Sequence, residues 1–280
     1  MVTEGYFARM TAATTLETRL LDSLEYHVGG QGEPLLLLHG LAGSSRNWCE
    51  VLPALVERYR VIAVDLPGHA RSAPLPRGAT TADFADAAAA VLEAEGADRA
   101  LVAGHSFGGL VALRLAQRRP ELVGGLLLAS PAGIASSTRA ARALLLVTTT
   151  IRPGRRVALL RHRFAERVWY RRAVFRPWFV SDAAALSAEA THGLLAAQRE
   201  HADTRTAALA LAADDPRREL QAVSCPVVVL WGARDVQLPL QDAFEYTRRL
   251  HARLRVVADC GHLVIVERPH AVLDALDALA

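Results

Sequence analysis

The residues best suited to chemistry stand in three short loops. Gly104-His105-Ser106-Phe107-Gly108 sets a hydroxyl between glycines, directly after the apolar run 100–103 and directly before a helical pattern. A tight turn there needs glycine to avoid clashes, and it leaves the serine exposed beside the positive end of the helix that follows. A serine hydroxyl is a poor nucleophile at neutral pH, so it requires a base and an acid that orients the base. Both stand downstream: the run 227–231 leads into Gly232-Ala233-Arg234-Asp235, and the run 254–258 leads into Asp259-Cys260-Gly261-His262. The expected chemistry is attack of Ser106 on a carbonyl carbon. His262 would take the proton, and Asp235 would fix the imidazole tautomer and stabilise its cation.

Three side chains so far apart in sequence need a scaffold that gathers them. Apolar runs at 35–38, 61–64, 100–103, 126–129, 227–231 and 254–258 look like strands buried on both faces. Helical spacing over 48–56, 81–95, 107–117 and 241–250 separates them, which predicts an α/β fold with a mostly parallel sheet. In such a sheet the loops after the strands share one edge, where Ser106, Asp235 and His262 would meet. Residues 17–28 predict an antiparallel hairpin at the sheet border. Between residues 131 and 216 the alternation fails and the chain turns helical and arginine-rich. The expected division is therefore a core of residues 1–131 and 216–280 with an inserted helical cap over 132–215.

Other segments add a resemblance. His39-Gly40-Leu41-Ala42-Gly43, the turn Asp65-Leu66-Pro67-Gly68-His69-Ala70-Arg71-Ser72, the loop from Trp231 to Asp235, and Gly261-His262 followed by Glu267-Arg268-Pro269 occur in this order around the serine motif. Together they resemble the α/β-hydrolase superfamily, in particular a serine-esterase-like member with a helical cap. The resemblance implies an eight-stranded, mostly parallel sheet with helices on both faces. It also implies an oxyanion hole made by the backbone N–H groups of Leu41 and Phe107. The implied reaction is hydrolysis of a carboxylic ester or related acyl bond through an acyl-serine, on a small-molecule substrate, with no cofactor and no metal.

Ser106 stands where haloalkane dehalogenases and epoxide hydrolases of this superfamily carry an aspartate. Leu263 stands where many carbon–carbon bond hydrolases carry tryptophan, which demotes that activity but keeps it among the alternatives. Thioesterases, lactonases and cofactor-free perhydrolases use the same triad and stay open, as does a non-catalytic ligand-binding protein on the same scaffold.

Each assignment has a plainer competitor. Ser106 could be an ordinary helix-capping serine and His262 a loop histidine. Asp259 and Glu267 lie nearer than Asp235 to His262 in sequence and compete for its role, whereas Ser130-Pro131 after the run 126–129 offers no carboxylate. His39 and His69 read as structural. His105, Trp169, Phe175 and Trp178 are the candidates for substrate contact, against the reading that the aromatics pack the cap. Ser44 and Ser45 fit loop hydrogen bonding, and Cys260 fits a small buried apolar residue.

Composition bounds the rest. The 280 residues are 51% hydrophobic, enough for a substantial core, and all 32 basic residues are arginine because lysine is absent. Cys49, Cys225 and Cys260 form neither a disulfide framework nor a metal-ligand spacing, and MVTEGYFARM does not resemble a secretory signal. With no apolar run long enough to span a bilayer, a cytoplasmic enzyme is expected. Residues 139–176 hold eleven arginines against the single acid Glu166. That segment reads as a solvated helical face, or as a contact for an anionic substrate, an acyl carrier with a phosphate-bearing tail, or an acidic surface. Nucleic acid is not expected, since no recognisable module accompanies the charge.

Overall fold

The structure, a computed structural model, describes residues 16–138, 157–176 and 178–279, with residues 140, 143, 147 and 151 between them. The leading MVTEGYFARM and, of the arginine-rich segment, Arg139, Arg142, Arg152, Arg155 and Arg156 lie outside the described residues.

Eight strands form one sheet: β1 (Glu17–Leu21), β2 (Leu24–Gly29), β3 (Glu33–Leu38), β4 (Tyr59–Val64), β5 (Ala100–His105), β6 (Val123–Ala129), β7 (Val227–Gly232) and β8 (Arg253–Val257). Their spatial order is β1-β2-β4-β3-β5-β6-β7-β8. The β1–β2 and β2–β4 pairs are antiparallel, and every other pair is parallel. The edge hairpin and the six apolar runs thus become strands where the sequence placed them.

The runs are continuously apolar because each strand buries both faces. Leu36, Leu38, Ile62, Val64, Val102 and Leu126 pack to one side, while Leu35, Leu37, Val61, Ala63, Leu101 and Leu127 pack to the other. Alternate side chains point to opposite faces, so each face needs its own helical cover. One face is covered by α2 (Thr81–Ala94) and α3 (Phe107–Arg118), which contribute Phe84 and Val111. The other is covered by α1 (Leu52–Val56) and residues of the C-terminal helix, among them Leu55 and Leu276.

Between β6 and β7 the described residues hold no strand. They carry α4 (Arg161–Phe164), α5 (Val168–Phe175), α6 (Ala188–Glu200) and α7 (Thr204–Ala213). After β7 come α8 (Leu240–Leu250), then β8, α9 (Val264–Glu267) and α10 (Pro269–Asp277).

Two expectations need correction. The helix expected over 48–56 begins only at Leu52, after a 3-10 turn at Ser45–Trp48. Pro53 is the reason: it has no N–H to give and is tolerated only in the first turn of a helix. The last run is not buried on both faces, since Arg253, Arg255 and Val256 of β8 are exposed. It is the border strand, paired on one side only.

The strand order sets the place of the site. From β3 the chain moves to β4 on one side, then crosses back to β5 on the other side of β3. The loops after β3 and β5 therefore leave in opposite directions and open a crevice at the carboxyl edge, where ligands settle in open α/β sheets.

Candidate active site

Ser106 follows the last residue of β5 and precedes the first of α3. Its backbone has φ 53° and ψ −115°, a region that costs a side-chain-bearing residue on the order of 1–3 kcal/mol. The surroundings hold it there. Ser106 N–H donates to Ala129 O at 2.9 Å, and Ser106 O accepts from Gly109 N–H at 3.0 Å and Ala132 N–H at 3.0 Å. The flanking glycines are required by close approach: a Cβ at Gly108 would overlap the carbonyl oxygens of Leu38 and His39, and one at Gly104 would overlap that of Gly108. From Ala100 to Leu113 every residue is buried except Ser106. That exposure sets it apart from a mere capping serine, and its side chain makes no cap bond.

His262 and Asp235 come from the loops after β8 and β7. His262 Nδ1 donates to Asp235 Oδ2 at 2.7 Å, with both side chains almost wholly buried, 5% and 1% exposed. The other carboxylate oxygen, Asp235 Oδ1, accepts from the backbone N–H groups of Gln237 at 2.9 Å and Leu238 at 3.0 Å. Burial by itself would raise the Asp235 carboxyl. The facing imidazole and these donors overcome that and hold it below the usual carboxylate range. The donation from Nδ1 leaves Nε2 as the ring nitrogen able to take a proton.

His262 lies close to the serine loop. Its ring centroid is 4.9 Å from that of His105, and its carbonyl accepts a hydrogen bond from His105 Nε2 at 2.9 Å. Among the described residues, no hydrogen bond engages the Ser106 hydroxyl or the backbone N–H groups of Leu41 and Phe107. The Asp235–His262 link is therefore formed, the Ser106–His262 link is open, and two backbone donors flank the crevice unused.

The nearer carboxylates are engaged elsewhere. Asp259 pairs with Arg234 at the surface. Glu267, at the end of α9, accepts from the N–H groups of Gly261 at 2.7 Å, Asp182 at 2.8 Å and Ser181 at 3.1 Å. It stitches the histidine loop to the segment after α5.

The four residues expected to meet substrate separate. His105 is buried, and its Nε2 donates to the His262 carbonyl oxygen, which supports the histidine loop. Burial, with His262 nearby, pushes its pKa down to about 3 and keeps it neutral. Phe175 is buried and packs against Phe179. Trp169 and Trp178 stand 58% and 62% exposed. A cleft of about 650 Å³ lined by Thr81, Arg114 and Asp214 shares no lining residue with this site.

Sequence reasoning missed His201. It follows α6 and reaches two motif loops at once: Ala70 N–H donates to its Nδ1 at 3.0 Å, which leaves the proton on Nε2, 2.9 Å from the carbonyl oxygen of Ala42. Gln198 Nε2 donates to the same carbonyl at 2.7 Å. Behind them, His39 Nδ1 donates to Gly40 O at 2.8 Å and its Nε2 accepts from Leu66 N–H at 3.0 Å. Burial lowers the pKa of both His39 and His69. No signal around residue 201 could have revealed its partners.

Among the described residues, Glu25, His27 and Asp65 form the group whose metal-ligand atoms all lie within 4.8 Å of one another. Its side chains are engaged within the protein. His27 Nε2 lies 3.6 Å from Asp65 Oδ2, and Asp65 Oδ1 accepts from Ser45 N–H at 2.6 Å, which ties the network to the loop after β3.

Comparison with known proteins agrees with this architecture. An acetoin-cleaving-system dihydrolipoyllysine-residue acetyltransferase component from Pseudomonas putida is 29% identical over 254 residues, 88% of this chain; the chain spans only 63% of that protein. A pimeloyl-[acyl-carrier protein] methyl ester esterase from Nitrosomonas europaea is 30% identical over 270 residues, covering 92% of this chain and 99% of that one. The crystal structure of an enol-lactonase from Burkholderia xenovorans LB400 superposes with a TM-score of 0.72 at 22% identity, over 94% of this chain and 99% of the other. The sheet order, the crevice between β3 and β5, and a match of residues 33–269 to the alpha/beta hydrolase fold model together show that the chain belongs to the alpha/beta-hydrolase fold family.

Proposed function

We propose that the protein is a serine hydrolase that cleaves a carboxylic ester or related acyl bond of a small molecule, with residues 132–215 acting as a cap that selects the substrate. The observation that carries this reading is the 2.7 Å Asp235–His262 hydrogen bond at the same sheet edge as the strained, solvent-reachable Ser106. A fixed imidazole with Nε2 available is what a serine nucleophile requires. The Ser106–His262 hydrogen bond is expected to close when substrate enters, since catalytic hydrogen bonds are often long in ligand-free proteins.

In the proposed reaction His262 Nε2 accepts the Ser106 proton as the hydroxyl oxygen attacks the carbonyl carbon. The Leu41 and Phe107 N–H groups stabilise the oxyanion, each worth roughly 3 kcal/mol of barrier. Collapse passes the proton from His262 to the leaving alcohol and leaves an acyl-serine. Water, deprotonated by the same imidazole, then releases the acid. The esterase among the relatives supports ester cleavage as the leading substrate class.

The test is turnover of p-nitrophenyl acetate through butyrate, with labelling by a serine-directed fluorophosphonate. Ser106→Ala is expected to lower kcat by about 10⁶ and to abolish labelling. Retained labelling in that variant, or a single equivalent of product from the native chain, would reject the assignment.

A further inference from the structure

Many surface arginines of the core are matched by acids, among them Arg58 with Asp277, Arg118 with Asp86, Arg119 with Glu93, Arg217 with Asp215, and Arg248 and Arg249 with Glu245, while others such as Arg71, Arg77, Arg99 and Arg255 stand singly in no ion pair among the described residues. What sets the insert apart is the clustering of such arginines in one short segment. Among the described residues, Arg163, Arg167, Arg172 and Arg176 are in no ion pair. Arg171, by contrast, is buried and donates to Leu186 O.

These unpaired cations share a face with large apolar side chains. Along α5, Tyr170, Arg171 and Phe175 are buried and Val174 is half-buried, while Val168, Trp169, Arg172, Ala173 and the adjoining Arg176 are exposed. At 100° per residue that is a clean division of the helix into an inner and an outer side. The outer side continues into the preceding turn. The Arg163 guanidinium lies over the Phe164 ring at 5.4 Å, the Phe164 and Trp169 rings meet at a tilt with centroids 5.2 Å apart, and Leu160 is half exposed one turn earlier. At the far end Trp178 is exposed, and its carbonyl accepts from Gln237 in the Asp235 loop at 2.9 Å.

We propose that this face of the insert, built on Leu160, Arg163, Trp169, Arg172, Arg176 and Trp178, docks on the surface of a lipid bilayer that carries anionic headgroups. Arginine beside exposed tryptophan and leucine on one side of a helix is the composition that lies in a membrane interface: the rings sit at headgroup depth and the guanidinium groups meet phosphate. The charge complement is on the page. Glu166 is the sole acid of residues 139–176 against eleven arginines, so the segment is strongly cationic and most of its arginines have no acid within it to pair with. A second copy is disfavoured, because pairing two such faces would bring like charges together. Since Trp178 borders the Asp235 loop, docking turns that loop toward the lipid.

The four tryptophans make the test direct. Trp48 and Trp231 are fully buried, so a lipid-induced change in emission reports on Trp169 and Trp178. The full chain is titrated with vesicles of phosphatidylcholine alone and of phosphatidylcholine with phosphatidylglycerol, with and without a brominated phosphatidylcholine as quencher. Expected are binding to the phosphatidylglycerol vesicles that weakens with salt, a blue shift, and quenching that disappears in W169F/W178F. Each interfacial cation is worth about a fivefold change in partitioning, so R172Q/R176Q should bind roughly twenty-five-fold more weakly. The control R248Q/R249Q removes the same charge elsewhere and should bind as the native chain does.

No binding to the anionic vesicles overturns the proposal. So does equal weakening by both glutamine pairs, which would leave net charge alone as the cause, or binding without quenching, which would place contact on another face. Tighter capture of a single-stranded RNA oligomer than of the anionic vesicles would also overturn it. Because the readout is binding, it is independent of whether Ser106 turns over an ester.

Discussion

Replacing Glu267 tests whether a buried carboxylate outside the proposed triad holds the site together. Its oxygens accept three backbone N–H groups, from Gly261 at 2.7 Å, Asp182 at 2.8 Å and Ser181 at 3.1 Å. A hydrogen bond to a charged acceptor contributes about 1.5–3 kcal/mol net. Gly261 is buried and would lose its acceptor outright in Glu267→Ala, at about 2 kcal/mol. Ser181 and Asp182 are nearer solvent, where water can replace the carboxylate, so each costs about 1 kcal/mol.

The sum is about 4 kcal/mol, and at the lower end of about 2 °C per kcal/mol for a chain of this size, Tm should fall by roughly 8 °C. Glu267→Gln keeps an acceptor oxygen and should lose about half as much. Because Gly261 adjoins His262, kcat on a p-nitrophenyl ester should fall about tenfold or more, with KM much less affected. Calorimetry and steady-state kinetics on the two variants decide the matter. An alanine variant within about 1 kcal/mol of the native stability and with unchanged kcat would refute the reasoning.

Other expectations rest on single contacts. Asp235→Asn should lower kcat by about 10⁴ with little effect on ester binding, measured by steady-state kinetics, because the amide no longer fixes the required tautomer of His262. Since the Asp235 carboxyl is held below its ordinary value, its contribution to stability is present above that value and lost as pH falls through the lowered one; the variant's acid unfolding curve should lack that step. Asp65 is a clearer case: burial opposes ionisation, but the His27 ring and the Ser45 N–H prevail and bring the carboxyl to about 2 from the ordinary 3.8. Its ionised form therefore contributes about 2 kcal/mol at neutral pH, a term that fades as pH falls from about 4 to 2 and that urea titrations of Asp65→Asn should find missing. Gly108→Ala should yield inactive or insoluble protein, since the added methyl meets the rigid carbonyls of Leu38 and His39; wild-type solubility and fluorophosphonate labelling would contradict that.

The sequence by itself determined the sheet and the positions of the proposed chemistry. Each strand buried on both faces had to be a continuous apolar run, and in a parallel sheet the residues after such runs share an edge, so Ser106, Asp235 and His262 were legible 27 to 156 positions apart. The border strand β8 escaped this logic because one open side exposes Arg253 and Val256, and the early start of α1 was denied by Pro53.

Only the tertiary structure decided where the side chains of the insert lie. Spacing along α5 and α6 shows which side of each helix is apolar, but not which loop that side will meet. So the bonds from His201 to Ala42 and Ala70, the diversion of Glu267 from His262 to backbone N–H groups, and the outward turn of Trp169 and Trp178 had no local signal. A hydrogen bond between segments distant in sequence is fixed by how helices settle on the sheet, and that is a property of the packed chain rather than of any stretch within it.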